Sequence, residues 1–252
     1  MIDSNKLRFA AALGFLKDEC KGWRGAEIAW LVFCVASVLA LSWWWDEPLL
    51  SIIAAATGVA YTIFAGKGKI SCFLFGLANA PIYAFISWKS GYYGDMALNL
   101  YYTAMMVSGI VSWRRHRTGD GEKTLVSTSL APRELALWIA AMALSSLFLW
   151  LVLDALGGKR PVCDSLTNVL SVAAMLLTVR RAVEQWALWI AVDAIEIFMW
   201  FKVWEQSGSS VSILLMWVLF LLNGIYLWRV WLRSTVREPV SYFQKSQTAQ
   251  TE

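Results

Sequence analysis

Residues 184–204 read "EQWALWIAVDAIEIFMWFKVW". Most of the stretch is apolar, yet Asp193 and Glu196 sit inside it, and tryptophan recurs at Trp186, Trp189, Trp200 and Trp204. At about 1.5 Å per residue, a helix of this length matches a hydrocarbon core about 30 Å thick. A helix also satisfies its own backbone hydrogen bonds, which the interior of a bilayer requires. The stretch therefore reads as a membrane span with two carboxylates in it.

Seven similar runs flank it, at 27–45, 48–66, 70–88, 95–113, 134–153, 164–179 and 211–231. The chain as a whole is 58% hydrophobic, against about 45–50% in soluble domains. Its mean hydropathy is +0.53 and it holds 16 tryptophans. The fold class that follows is an all-α polytopic membrane protein with eight transmembrane helices.

Charge orients the spans, because Lys and Arg concentrate in cytoplasmic loops. With both termini inside, the inner segments hold 18 of the 22 basic residues, and the outer ones keep Lys89, Lys159, Arg160 and Lys202. The net charge of +4 is then a topology signal and calls for no nucleic acid. Residues 1–26 are charged, without the apolar core or cleavage site of a secretory signal. They read as a cytoplasmic tail with a short amphipathic helix on the membrane. Residues 114–133 are rich in Gly, Ser, Thr and charge and read as a cytoplasmic loop and linker; residues 237–252 read as a disordered tail.

The four cysteines, Cys20, Cys34, Cys72 and Cys163, have no metal-ligand spacing, and the one histidine, His116, sits in a basic loop. No phosphate loop, nucleophile elbow or zinc-protease motif is present. Neither a metal site, a cofactor nor an enzyme is expected.

The chain repeats itself at an offset of about 114. Asn79 falls on Asp193 and Gly94 on Gly208. With a one-residue slip, 109–113 falls on 224–228. Spans two to four (48–113) thus pair with spans six to eight (163–231). Span five (134–153) joins them and span one (27–45) is extra. Three spans per unit plus one joining span give two parallel repeats in a 1+3+1+3 plan, as in SWEET transporters.

Polar residues in spans face a bundle interior or a cavity. At 100° per residue, Trp186, Trp189, Asp193, Glu196 and Trp200 share one side of their helix. Asn79 shares a stripe with Cys72, Phe75 and Tyr83. Asn99 falls with Asp95, Tyr102 and Met106, Asn168 with Asp164, Ser171, Met175 and Thr178, and Asn223 with Ser212 and Tyr226. The plain alternative is that such groups hydrogen-bond between helices. Asp164, soon after Pro161, is equally well read as a helix cap. Trp45, Trp88, Trp113, Trp204 and Trp231 end their spans and read as interfacial anchors. Asp193 lies near mid-span among tryptophans and reads as facing a ligand cavity. Glu196 either shares that cavity or pairs with Lys202. Indole faces stack on flat rings and attract cations, while Asn and Asp bind hydroxyls and amides. A flat, cationic, hydroxylated small molecule fits.

The chain resembles the PnuC family of bacterial nicotinamide riboside transporters. The matching motifs are Lys69-Ile70-Ser71 followed by "FGLAN" (75–79), "YYGDMALN" (92–99), "CDSLTNVLSVAAMLLTVRR" (163–181), Trp186 with Trp189 and Asp193, and "LNGIYLW" (222–228). The resemblance covers about residues 48–233 and leaves out the first span. The family often has Asn where Asp193 stands and commonly Gln where Asn99 stands. It implies a SWEET-like homotrimer in the bacterial inner membrane, with both termini cytoplasmic. It also implies facilitated diffusion of nicotinamide riboside by alternating access, the two three-helix units rocking around a mid-membrane site, and trapping by phosphorylation. The ligand contacts it implies are Trp186, Trp189, Asp193, Asn79, Asn99 and Asn223. Two rivals remain: a proton-coupled carrier of another small cationic or nucleoside-like solute using Asp193 or Glu196, and a membrane enzyme or sensor with a buried acidic site. For the enzyme no nucleophile–base pair is found.

Overall fold

Among the residues described by the computed structural model (14–15, 17–46, 48–89, 93–118, 124–125, 127–157, 160–207 and 211–234), eight long helices dominate. They are α1 (Gly25–Trp44), α2 (Leu49–Gly66), α3 (Ser71–Lys89), α4 (Tyr93–Arg115), α5 (Pro132–Ala155), α6 (Pro161–Val179), α7 (Gln185–Ser207) and α8 (Val211–Ser234). Each begins and ends within a turn of the corresponding apolar run. Between α4 and α5, β1 (Arg117–Thr118) and β2 (Thr124–Leu125) form a two-residue antiparallel ladder. The tail at 237–252, the first thirteen residues and Gly208 lie outside the described residues.

Local chemistry sets the boundaries. Proline opens α5 and α6 at the first helical position, where its missing N–H costs nothing. The Glu27 carboxylate reaches back 2.8 Å to accept the Arg24 N–H at the start of α1. Arg114 and Arg115 close α4, where cations suit the negative end of the helix dipole. Asp164 is not a cap. Because the helix begins at Pro161, Asp164 lies inside the first turn, and its own N–H donates to Arg160 O.

Among the described residues five helices, α1, α2, α3, α5 and α6, are long and apolar enough to cross a membrane by length and composition. Helix α5 exposes Leu137, Ile139, Leu144, Leu147, Phe148 and Leu151. So large an apolar surface is stable in lipid and a liability in water.

The chain divides into two compact units, Met1–Leu125 and Val126–Glu252. In the first, α1 packs on α2, α2 on α3 and α3 on α4; in the second, α5 packs on α6, α6 on α7 and α7 on α8. Glycines let helices approach. A Cβ at Gly109 on α4 would run into the Phe73 ring of α3, and one at Gly76 on α3 would meet the Met106 side chain of α4.

Two of the expected interfacial anchors are core residues instead. Trp113 is 0% exposed and meets Phe73 edge-on, with ring centroids 4.8 Å apart. Trp231 is 4% exposed and meets Trp186 at 5.8 Å and 70°. The slot opened by Gly109 draws Phe73 in, and Trp113, one turn further along α4, covers it. Trp45, Trp88 and Trp204 remain exposed. The segment 17–24 also departs from the expected surface helix, since its residues Glu19 and Trp23 pack against the first unit. The Trp23 ring lies 4.9 Å from Phe64 of α2, and Glu19 is buried.

Candidate functional site

In the second unit, α7 carries the tryptophan–carboxylate motif. A left-handed residue, Arg181 (φ 64°), reverses the chain before it, and Gln185 anchors the helix start through a 3.0 Å bond from Nε2 to Ala182 O. Trp186 follows in the first turn and is 3% exposed. Its ring packs on Trp231, and its Nε1–H has no acceptor among the described residues. Trp189 lies one turn further on, half-buried, and donates from Nε1 to Thr178 Oγ1 of α6 at 3.4 Å. Thr178 in turn donates to Ala174 O at 2.9 Å.

Asp193, two turns beyond Trp186, is 6% exposed. Its carboxyl points toward α8, with Oδ2 3.8 Å from where a Cβ on Gly224 would stand. That Cβ would also lie 3.2 Å from Ile190 Cγ1, so glycine at 224 sets how closely α7 and α8 meet. Asn223, beside Gly224 on α8, is buried. Glu196 is half-buried one turn from Asp193. Its expected pairing with Lys202 does not form, because Lys202 Nζ binds Glu205 Oε2 at 2.8 Å instead. The three-residue spacing to Glu205 on the same helix face makes it the nearer partner.

In the first unit, α3 carries Asn79 and α4 carries Asn99. Asn79 is half-buried and donates from Nδ2 to Ala54 O of α2 at 2.6 Å. Gly58 makes room for this, since a Cβ there would stand 2.9 Å from the amide nitrogen. Asn79 therefore ties α3 to α2. Asn99 donates to Asp95 O, one turn back in its own helix, at 2.8 Å.

Sequence reasoning missed Trp217. Its indole N–H is buried without an acceptor among the described residues, and its ring meets Phe220 edge-on at 5.8 Å. It stands seven residues before Gly224, hence on the same side of α8, and that spacing was the available signal. The second unit thus holds two buried indole donors without an acceptor among the described residues, and a buried carboxyl, on helices that also present flat aromatic surface. Such a set can take up hydroxyl and amide groups of a planar solute. Among the described residues no group of three or more His, Cys, Asp or Glu could hold a metal ion.

Comparison with known proteins gives a consistent result. The sequence profile of the family described as nicotinamide mononucleotide transporter matches residues 48–233. A protein named nicotinamide riboside transporter PnuC from Neisseria mucosa is 34% identical over 221 residues, covering 86% of this chain and 84% of the relative. Its namesake from Haemophilus influenzae is 30% identical over 231 residues, covering 88% and 96%. A crystal structure of a vitamin B3 transporter PnuC matches with a TM-score of 0.76 at 33% identity, over 88% of this chain and 97% of that one.

Proposed function

The chain belongs to the nicotinamide mononucleotide transporter family, the PnuC proteins, and from that premise we propose that it carries nicotinamide riboside across a bacterial membrane. It is a multi-pass transporter and not an enzyme. The observation that carries this reading is the 34% identity over 86% of the chain to a relative of that name. The buried polar groups on α7 and α8 support it. Nicotinamide riboside has a flat cationic ring for indole faces and ribose hydroxyls for Asp193, Asn223 and the indole N–H groups. Asn79 and Asn99 complete the set of contacts we propose, together with Trp186 and Trp189.

We read transport as facilitated diffusion by alternating access, with cytoplasmic phosphorylation trapping the product. The plan is SWEET-like, 1+3+1+3, with eight crossings, and the assembly is a homotrimer. The 18 of 22 basic residues on one side support placing both ends in the cytoplasm.

The test is calorimetric binding of nicotinamide riboside to purified protein, wild type beside Asp193→Leu. Saturable binding that weakens at least about tenfold in the variant is expected, since a buried polar contact to a ligand contributes about 1.5–3 kcal/mol when a charge is involved. A wild type that does not bind would sink the proposal. A second reading, proton-coupled transport, draws on the half-buried Glu196 one turn from Asp193. It requires that an uncoupler collapse uptake even without the trapping kinase, whereas diffusion is indifferent.

A further inference from the structure

The two units fasten one particular turn in the same way. In the first, α2 ends at Gly66, Lys67 is the C-cap, and Gly68 turns the chain at φ 64°. In the second, α6 ends at Val179, Arg180 is the C-cap, and Arg181 turns the chain at φ 64°. A non-glycine residue is uncommon in that left-handed region, so its use at the matching place indicates a turn the fold requires.

Each capping cation pairs with the third residue of the unit's leading helix. Lys67 Nζ lies 2.9 Å from Glu27 Oε2, and Arg180 lies 2.7 Å from Glu134 Oε1. Glu27 is the third residue of α1 and Glu134 the third of α5. Each cation also stands over an indole: Lys67 Nζ is 5.9 Å from the Trp23 ring and the Arg180 guanidinium 5.7 Å from the Trp138 ring.

The segment before each leading helix then clasps the turn. In the first unit, buried Glu19 accepts the Ser71 N–H at 3.0 Å together with the Ser71 hydroxyl, so it caps α3. Buried Lys69 donates to Asp18 O and Lys21 O, each at 2.8 Å. In the second unit, Thr128 N–H donates to Arg181 O at 3.0 Å, and Val183 N–H donates to Thr128 O at 2.9 Å. Glu184 accepts the Ser129 hydroxyl at 2.9 Å and the Leu130 N–H at 3.0 Å. The acid sits on the segment in one unit and at the turn in the other, but the joint is the same.

We infer that α1 is the counterpart of α5, and that Lys67–Glu27 and Arg180–Glu134 are matching latches that position α3 and α7 for transport. As a matter of function this rests on the transport reading above; as a matter of geometry it stands apart from it. Helix α3 carries Asn79, and α7 carries Trp186, Trp189 and Asp193 directly after the latched turn. The four charged residues are positioning residues and need not touch the substrate.

The test is charge exchange, in which each exchanged pair keeps the net charge and hence the topology signal, while each single variant changes it by two units. In the first unit the variants are Lys67→Glu, Glu27→Lys and both together; in the second they are Arg180→Glu, Glu134→Arg and both together. Uptake of nicotinamide riboside per folded protein, its Kd, and thermal unfolding without ligand are measured for each. Each single variant should lower the maximal rate, about three- to tenfold in the part-buried first latch and less than about threefold in the exposed second one. Kd should stay within about twofold, and each exchanged pair should recover most of the rate and of the unfolding temperature. Single variants of the first latch that match wild type would overturn the inference, as would exchanged pairs no better than the singles or rescue in one unit only. If the wild type takes up no nicotinamide riboside, the transport reading falls, while the ligand-free unfolding data still decide whether the latches are coupled.

Discussion

Replacing Gly109 with alanine tests how the first unit is packed. The added Cβ would enter the ring of Phe73, which is fully buried between α3 and α4 with the edge of Trp113 against it. A rigid ring held on both sides has no rotamer to escape into. Overpacking of this kind costs about 1–3 kcal/mol. Alanine is favoured over glycine within a helix by about 0.5–1 kcal/mol, which offsets part of that. The net is a destabilisation of up to about 2.5 kcal/mol, or up to roughly 10 °C in Tm for a chain of this size. Two further substitutions calibrate it. Gly76→Ala meets Met106, whose flexible thioether can swing aside, so its cost is smaller. Gly94→Ala has no atom within 4 Å of the new Cβ and should be neutral or slightly stabilising. Thermal unfolding in detergent, followed by tryptophan fluorescence and aggregation, gives the ranking. Gly109→Ala as stable as Gly94→Ala would refute the proposed α3–α4 packing.

Trp231→Ala should cost about 3–5 kcal/mol, because the ring is buried against Trp186, whereas Trp88→Ala, at a residue 56% exposed, should change Tm by far less. Equal losses in the two would contradict their assignment to core and surface. Asp193→Asn keeps the shape and an acceptor, so nicotinamide riboside should bind within about fivefold of wild type, while Asp193→Leu loses at least about tenfold; an Asn variant as weak as the Leu one would mean that charge, not hydrogen bonding, is what the ligand needs. Lys202→Ala removes an exposed pair with Glu205 and should move stability by less than about 0.5 kcal/mol; a drop of several degrees in Tm would show that Lys202 has a structural role.

The residues argue for different degrees of legibility. The positions of the eight long helices among the described residues could be read directly from the apolar runs, and five of these helices are long and apolar enough to cross a membrane, where a segment must satisfy its backbone within itself. The Trp186, Trp189 and Asp193 spacing was legible for the same reason: neighbours on one helix face follow from 3.6 residues per turn. The anchoring role read for Trp113 and Trp231 failed because a tryptophan at the end of a run looks identical whether the neighbouring helix offers lipid or a slot. The slot at Gly109 belongs to a contact between α3 and α4 that no local pattern encodes.

The same division holds for charge. Lys67, Lys69, Arg180 and Arg181 were read from composition alone, as basic residues at the ends of apolar runs. That Lys67 and Arg180 also close matching ion pairs with Glu27 and Glu134, across gaps of 40 and 46 residues, depends on where α1 and α5 come to lie. The apolar segments and the motif face were thus determined by the sequence alone, since each rests on interactions within one helix, and the family resemblance was legible in motifs spread over residues 48–233. Which aromatic rings are core, what Lys202 pairs with and what holds the two turns were decided by the tertiary structure, because those interactions exist only once separate helices pack or a side chain chooses among partners.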